Sequence, residues 1–362
     1  MIGNRFKKEN VFWVFLLGYH FLFIFLNFKY FSENGGDASF YWFQAKASQG
    51  KTLTDLFHYG SESLLLFNYF FAKVLNLNIL FGFVLYGCIG YLGILQFYRL
   101  CKLLLKDRLS FKGISLGCIL VLLPNLHFWT AGLGKEAFCF LFIATVFLEF
   151  AKERFASLAM IFSMLLLAVI RPHVANLLLF SVVLVYFFSN RLTFKKRMIL
   201  LIGSSVSLSI LFYMFLQLSK IKTFDLERIK RFNEFSLLSF KNSGSYVPII
   251  EYSYPYKVFT FYFRPLANEI PTFYGIVLGV ENAVILLLHL TALLIVVLNW
   301  KRICFQPVMK IILVFALISG ILIVQRYSGL GIFARTKIMI QPFVCLILLW
   351  ILTFRKIAQT DE

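Results

Sequence analysis

Residues 276–299 read IVLGVENAVILLLHLTALLIVVLN, a stretch in which Glu281 is the only charged side chain. About 20 consecutive apolar residues form a helix long enough to cross the hydrocarbon core of a bilayer. Apolar residues make up 60% of the 362-residue chain and charged residues 15%, whereas soluble globular chains average about 45–50% apolar residues. The sequence therefore predicts an integral membrane protein and excludes an ordinary soluble enzyme, a disordered chain, a coiled coil and collagen.

Similar apolar runs recur along the chain, and they predict an all-α polytopic bundle of about ten transmembrane helices in a single integral membrane domain, 1–362. The predicted spans lie near 11–31, 79–100, 114–131, 135–151, 156–170, 174–190, 198–218, 276–299, 308–325 and 338–354. Only Arg171-Pro172-His173 separates two of them, so 156–190 forms either a tight helical hairpin or one kinked element.

The net charge of +19 is first a topology signal, because cytoplasmic loops of membrane proteins collect Lys and Arg. With the N-terminus inside, 19 of the 36 basic residues fall in short cytoplasmic segments. This distribution predicts that both termini are cytoplasmic. Two long outer loops then remain, the first at 32–78 and the second at 219–275. The first contains DASFYWFQAK and SLLLFNYFFAKVL, which are typical of short interfacial or re-entrant helices.

Six cysteines lie in or beside apolar runs, and neither a CxxC motif nor a Cys/His cluster occurs among them. We interpret Cys88, Cys101, Cys118, Cys139, Cys304 and Cys345 as reduced core residues. The sequence gives no indication of a metal or another cofactor.

The first candidate site lies at GGDASFY, where two glycines place Asp37 just beyond the first span and Tyr41 follows on the same helical face. An acid at that depth is a functional candidate. The alternative is that Asp37 only caps the interfacial helix. For Glu62, which precedes the second short helix, capping is the favoured interpretation.

Basic and acidic residues also stand at two turns between predicted spans. Lys135 and Glu136 open span four after the turn AGLG, where they either pair, meet a ligand, or only snorkel and complement the helix dipole. Arg171, held by the following proline, suits an anionic group such as phosphate. His173 alone is weak evidence, because isolated histidines more often satisfy local hydrogen bonds.

Two further groups lie near the predicted outer side. Glu281 should point into the bundle toward a cation or a polar cavity, and Arg264 either pairs with it or binds substrate. Arg326, Arg335 and Lys337 stand in one short outer turn, where the positive-inside rule disfavours basic residues. A lipid-linked phosphate or anionic lipid would account for them.

In these residues the chain resembles the EpsG/Wzy-type polysaccharide polymerases and, more distantly, the GT-C membrane glycosyltransferases. The resemblance rests on Asp37-x-x-x-Tyr41, Glu62, FWTAGLGKE at 128–136, the Arg171-Pro pair and Arg335-x-Lys337. It implies an enzyme in exopolysaccharide or O-antigen synthesis that uses polyprenyl-(pyro)phosphate-linked sugars at the outer face of a bacterial inner membrane. No Asp-x-Asp pair occurs in the first loop, so a metal-dependent GT-C mechanism is not expected.

By that resemblance Asp37 matches the first-loop acid that serves as catalytic base or acceptor-binding group, and Arg171 and Arg335 match the cations that hold the donor's phosphates. The expected substrate-binding set also includes Tyr41, Glu62, Lys135, Glu136, His173, Arg264, Glu281 and Lys337. The expected partners are a lipid-linked sugar donor, a glycan acceptor, membrane lipids and other polysaccharide-assembly proteins, without nucleic acid. The alternatives are a transporter or flippase for a lipid-linked glycan and a non-enzymatic membrane subunit of the same pathway.

Overall fold

A computed structural model of the protein describes residues 2–48, 53–106, 110–111, 114–115, 117–189, 192–218, 226–267 and 269–358. Apart from the two-residue strands β1 (Ser110–Phe111) and β2 (Ile114–Ser115), which pair antiparallel, the regular elements in this part of the chain are helices. The helices are α1 (Ile2–Asn34), α2 (Asp37–Lys46), α3 (Leu53–Leu56), α4 (Leu64–Asn68), α5 (Ile79–Leu105), α6 (Gly117–Leu120), α7 (Pro124–Thr130), α8 (Lys135–Ala151), α9 (Leu158–Ile170), α10 (Pro172–Phe187), α11 (Phe194–Leu218), α12 (Leu226–Leu238), α13 (Tyr254–Phe263), α14 (Phe273–Asn299), α15 (Pro307–Ile323), α16 (Leu330–Lys337) and α17 (Gln341–Ala358).

Three of these helices are long and apolar enough to cross a membrane by themselves: α1, α5 and α14. Two bent pairs also qualify if each pair counts as one span, namely α7 with α8, bent by 117°, and α16 with α17, bent by 62°. Helices α9, α10 and α15 are apolar but shorter. The described residues therefore form a helical bundle typical of a membrane protein with three to five candidate spans, and the number of ten stays a prediction.

The predicted third span, 114–131, is not one helix. Its residues form β2, the single turn α6 and then α7, which begins at Pro124. Proline fixes φ and lacks the amide hydrogen that a continuing helix needs, so it starts a helix more readily than it continues one. The result is that α7 belongs with α8 as the first half of a bent pair.

The short helices predicted in the first loop are present. DASFYWFQAK forms α2, and SLLLFNYFFAKVL forms α4 followed by a π-helix, Tyr69–Val74. On α2, Tyr41 and Trp42 are buried whereas Phe40 and Phe43 are exposed. This exposed aromatic face suits contact with lipid. In the second loop, the predictions for residues 219–225 fall outside the described residues. The described residues that follow form α12, α13 and their connections.

Four of the six cysteines are buried as predicted, but Cys88 and Cys304 are exposed. The prediction of six core cysteines was therefore wrong for two of them. Both stand in or beside helices whose outer surface is apolar, so an apolar neighbourhood in sequence does not distinguish the packed face of a membrane helix from its lipid-facing side.

Helix α5 packs closely against its neighbours through glycines. A Cβ atom on Gly82 would stand 2.6 Å from the Trp42 ring, and one on Gly90 would overlap the carbonyl oxygen of Thr130. Small residues let helix backbones approach closely in membranes, where the hydrophobic effect does not drive helices together.

We predict that Gly90→Val destabilises the protein by about 3 kcal/mol, because the extra atoms meet backbone rather than a side chain that can move. The matched control is Gly18→Val on α1, where nothing lies within 4 Å of a built Cβ. Thermal unfolding of both variants in detergent measures the difference. Equal melting temperatures would show that α5 does not pack this tightly.

Candidate functional site

Arg335 joins two acidic side chains that are distant in sequence. From the last turn of α16, its Nη1 lies 2.8 Å from Asp37 Oδ2, and its Nη2 and Nε lie 2.9 and 2.7 Å from the two carboxylate oxygens of Glu136. The guanidinium also lies 5.6 Å from the centroid of the Trp129 ring. Two-point contact between a guanidinium and a carboxylate fixes direction as well as distance. Arg335 therefore holds the start of α2 against the start of α8.

Glu136 is shared between two arginines. Its side chain is 2% exposed, and its Oε1 also lies 2.9 Å from Nη2 of Arg171, which is itself buried in the link between α9 and α10. We name Asp37, Lys135, Glu136, Arg171 and Arg335 the ion cluster. Three positive and two negative side chains leave it one positive charge in excess, and a buried charge without a partner is costly. The cluster is thus suited to an added anion.

The position of Asp37 follows from the two glycines before it. Gly35 and Gly36 adopt φ values of 69° and 136°, which side-chain-bearing residues rarely reach, and the chain reverses there between α1 and α2. The N-cap of α2 is Gly36, and Asp37 forms no capping hydrogen bond. The capping alternative was therefore wrong. Asp37 has a side chain 52% exposed and pairs with Arg335.

Lys135 connects the ion cluster to the first loop. Its Nζ donates hydrogen bonds to Ser61 Oγ at 2.8 Å and to the Tyr41 hydroxyl at 3.5 Å. Burial raises the pKa of Tyr41 to about 12, and the nearby charge of Asp37 adds to this. Tyr41 consequently stays a neutral hydroxyl at physiological pH, and neither acceptor of Lys135 neutralises its charge.

A second group of basic side chains surrounds His173. The side chain of His173 is exposed, and Arg171, Lys135 and Arg326 lie close enough for their charges to act on it. Arg326 stacks its guanidinium over the Phe232 ring, 4.1 Å from the centroid. Its Nη1 is buried and forms no hydrogen bond within the described part of the chain. An arginine donor left unpaired beside an accessible histidine is a second place where an anion would be held.

Glu281 of α14 and Lys337 of α16 belong to a separate group, which we name the buried polar cluster: Asn125, Tyr274, Glu281, Asn282 and Lys337. Glu281 Oε2 accepts a hydrogen bond from the Asn125 backbone N at 2.9 Å. The Tyr274 hydroxyl donates to Asn125 Oδ1 at 2.7 Å. Lys337, fully buried, donates to Asn282 Oδ1 at 2.6 Å. Glu281 does point into the bundle, and the charge of Lys337 acts on it.

Arg264 does not pair with Glu281, which was one of the two alternatives for it. Its Nε lies 2.7 Å from Glu269 Oε1, and its guanidinium lies about 6 Å from the ring centroids of Tyr252 and Tyr256. Its connection to the buried polar cluster is through its carbonyl oxygen, which accepts a hydrogen bond from Lys337 Nζ at 3.2 Å. Arg264 therefore pairs with Glu269, five residues away in sequence, and not with the distant Glu281.

Glu62 lies apart from both clusters. It belongs to a 3-10 helix, Gly60–Ser63, it is exposed, and within the described residues it forms neither an ion pair nor a capping hydrogen bond. The interpretation of Glu62 as a cap was therefore wrong. Its near neighbour Ser61 is the residue of this segment that contacts the ion cluster.

Sequence reasoning missed several polar residues that complete the two clusters. Ser61 and Asn125 carry no charge, so nothing marks them in the sequence beyond their position beside apolar runs. Asn282 is not among the candidates from the sequence, and Arg326 is grouped with Arg335 and Lys337 there but is not in the expected substrate-binding set. A signal for Asn282 did exist, because an amide inside an apolar helix needs a partner as much as the adjacent Glu281 does.

Comparison of the chain with models of protein families, with curated proteins and with solved structures finds no match. The chemistry of the site must therefore be argued from its geometry. In this geometry an accessible carboxylate stands beside an excess of positive charge, at the end of the bundle where α1 is followed by α2.

Proposed function

We propose that the protein is a membrane glycosyltransferase or polysaccharide polymerase that acts on polyprenyl-(pyro)phosphate-linked sugars at the outer face of a bacterial inner membrane. The observation that carries this proposal is the ion cluster, in which the exposed Asp37 carboxylate adjoins Arg335, Glu136 joins Arg335 to the buried Arg171, and one positive charge is in excess. Transfer of a sugar from a phosphate carrier needs both parts, a proton acceptor for the attacking hydroxyl and cations for the departing phosphate.

Asp37 is the proposed general base. It is accessible to an acceptor sugar, whereas Glu136 is enclosed by two arginines and cannot reach a substrate hydroxyl. Arg335 fixes the Asp37 carboxylate at one oxygen, Oδ2, which leaves Oδ1 to take the proton. The hydroxyl then attacks the anomeric carbon, and the bond from that carbon to the phosphate oxygen breaks.

The cations around His173 are the proposed phosphate ligands. Negative charge grows on the phosphate as the glycosidic oxygen departs, and donors already in place stabilise that charge without reorganising. Lys135 has only neutral hydroxyl partners, and Arg326 has an unpaired Nη1. Arg171 contributes its charge through the ion cluster, although its Nη2 is held by Glu136. Two phosphates, as in a pyrophosphate carrier, would use the basic side chains of the ion cluster together with Arg326.

The polyprenyl chain needs an apolar surface next to the phosphate site. Helix α2 starts at Asp37 and exposes Phe40 and Phe43 on the face opposite its buried side. A lipid-linked donor would lie along this face with its headgroup at the ion cluster. If the chain has ten spans and both termini are cytoplasmic, the end of the bundle that carries Asp37 lies at the outer face of the membrane. Such polymers are assembled on that side.

A lipid-linked glycan flippase is the second candidate, and one observation favours it. Transporters often bind substrate where membrane helices are broken, and the ion cluster stands at the break between α7 and α8, with Arg335 close to the break between α16 and α17. A non-enzymatic subunit remains a third candidate, but such a subunit has no need for an accessible acid among buried arginines.

We predict that Asp37→Asn lowers glycan transfer by at least about 100-fold, since a general base contributes on the order of 100- to 10,000-fold. The assay uses protein reconstituted in vesicles with an undecaprenyl-pyrophosphate-linked oligosaccharide, and product length is measured by gel. Glu62→Gln is the matched control, because it removes another first-loop acid that lies outside the ion cluster, and it should retain activity.

The same vesicles distinguish the candidates. Longer glycans in the wild type that disappear in Asp37→Asn would support transfer. Movement of unchanged lipid-linked oligosaccharide to the opposite leaflet, without lengthening, would favour the flippase. Equal restoration of polymer by the wild type, Asp37→Asn and Arg171→Ala in a null strain would contradict the proposed roles.

A further inference from the structure

Two buried histidines contact each other in the interior of the bundle. His20 lies on α1 and His127 on α7, both side chains are fully buried, and their Nδ1 atoms are 2.9 Å apart. On the far side of each ring, Nε2 contacts a backbone carbonyl oxygen: His20 that of Gly87 at 2.9 Å, and His127 that of Val121 at 2.6 Å. None of these atoms belongs to the ion cluster or to the buried polar cluster.

These three contacts determine how many protons the pair needs. A carbonyl oxygen only accepts hydrogen bonds, so each Nε2 must carry a hydrogen to donate. The two Nδ1 atoms then face each other, and at 2.9 Å they require one hydrogen between them. The pair is satisfied by three protons, which is one more than two neutral imidazoles hold.

A neutral pair leaves one contact repulsive in every arrangement. If both Nε2 atoms carry hydrogens, two Nδ1 lone pairs face each other. If one ring moves its hydrogen to Nδ1, its bare Nε2 faces a carbonyl oxygen instead. Buried polar groups without a hydrogen bond are costly, so the hydrogen-bond geometry favours a third proton, whereas burial away from water opposes the added charge.

Aromatic rings line the pair. Phe23 lies 5.6 Å from His127 and Tyr91 lies 5.8 Å from His20, both with tilted rings, within the distance at which a ring face attracts a cation. The Tyr19 ring meets His127 edge-on at 4.7 Å and packs against it without adding such attraction. The Tyr19 hydroxyl donates to the carbonyl oxygen of Leu122 and does not compete for the imidazoles.

Glu281 of α14 is the charged group on another element that acts on the surroundings of the pair. Its charge acts on Tyr19, and its carboxylate accepts the backbone N–H of Asn125, two residues before His127. Lys337, which lies beyond Glu281, supplies the opposite charge to the same carboxylate. Within the described residues no third His, Cys, Asp or Glu joins the pair to make a metal site.

We propose that His20 and His127 form a buried proton-binding site that holds one proton between their Nδ1 atoms. The bound proton ties α7 to α1, and the Nε2 contact of His20 extends the link to α5. Since α7 leads into the turn before Lys135 and Glu136, the site supports the segment that positions the ion cluster. This inference does not depend on the proposed enzymatic activity.

Nuclear magnetic resonance of the full-length protein in lipid nanodiscs, with ¹⁵N-labelled histidine, tests the proposal at neutral pH. We expect a far-downfield proton coupled to two Nδ1 nuclei, with both Nε2 nuclei protonated. His289→Gln is the matched control, because its Nδ1 contacts only the carbonyl oxygen of Ile285 on its own helix, and this variant should keep the signal.

The variant His20→Gln should lose the signal and return His127 to a neutral ring. Two neutral imidazoles with no coupling between their Nδ1 nuclei, in folded wild-type protein, would overturn the proposal. If His20→Gln does not fold, the spectra of the wild type and of His289→Gln still decide, because they show directly whether the shared proton is present.

Discussion

Glu136→Gln is expected to destabilise the protein by about 3–5 kcal/mol, the cost of removing one partner from a buried ion pair. The glutamine keeps the size of the side chain but removes the charge that both Arg171 and Arg335 contact. Because Arg171 is buried as well, water cannot replace the missing carboxylate. Asp37, the other acid that contacts Arg335, is half exposed and compensates only in part.

The measurement is the free energy of unfolding in detergent, monitored by circular dichroism or tryptophan fluorescence. Glu149→Gln provides the matched control. Glu149 lies on the same helix, α8, and its own side chain is 8% exposed, but its partner Lys152 is 35% exposed and only three residues away. Such a pair contributes about 1 kcal/mol or less. Similar losses for the two variants would show that Glu136 is not the centre of a buried network.

The charged members of the ion cluster could each be recognised from the sequence, but their pairing could not. Asp37 and Arg335 are candidates because ionisable residues are rare at the ends of membrane spans. They are 298 positions apart, and no local pattern relates them. Contact between them depends on how the bent pairs α7–α8 and α16–α17 fold back, which apolar periodicity does not encode.

Where the sequence-based expectations were wrong, the residue forms a nearer or stronger contact than the expected one. Asp37 was available as a cap for α2, but Arg335 offers a full opposite charge. Arg264 was a candidate partner of Glu281, but Glu269 is close in sequence and in space. The predicted third span extended past Pro124 because hydropathy does not register where a helix breaks.

The short helices of the first loop were predictable for a reason that the clusters were not. The sequence DASFYWFQAK is preceded by a start signal, Gly35 and Gly36, and has an aromatic periodicity that separates Phe40 and Phe43 from the polar positions. Local information of this kind fixes a single helix. Buried polar contacts such as the one between Lys337 and Asn282 need two helices to be placed first.

Lys337→Met is expected to cost about 1–3 kcal/mol of unfolding free energy, because it leaves the Asn282 Oδ1 and the Arg264 carbonyl oxygen without their donor. Glu281→Gln should cost less, since it leaves these hydrogen bonds in place and removes only the carboxylate charge. The glutamine can still accept the hydrogen bond from the Asn125 backbone, so the substitution isolates the charge.

The double variant Lys337→Met with Glu281→Gln should be more stable than the sum of the two single effects implies, by about 1 kcal/mol, because the charge of each side chain acts on the other although the two form no ion pair within contact distance. The comparison is a double-mutant cycle of unfolding free energies in detergent. The same cycle at Glu149 and Lys152 is the control and should give about 0.5 kcal/mol, because that pair is partly exposed.

Additive effects at Glu281 and Lys337 would mean that the two side chains do not stabilise each other as charges. In that case each side chain is held by its own hydrogen bonds, Glu281 by the Asn125 backbone of α7 and Lys337 by Asn282. Glu281 and Lys337 would then be two separately bound neutral groups and not one charge pair.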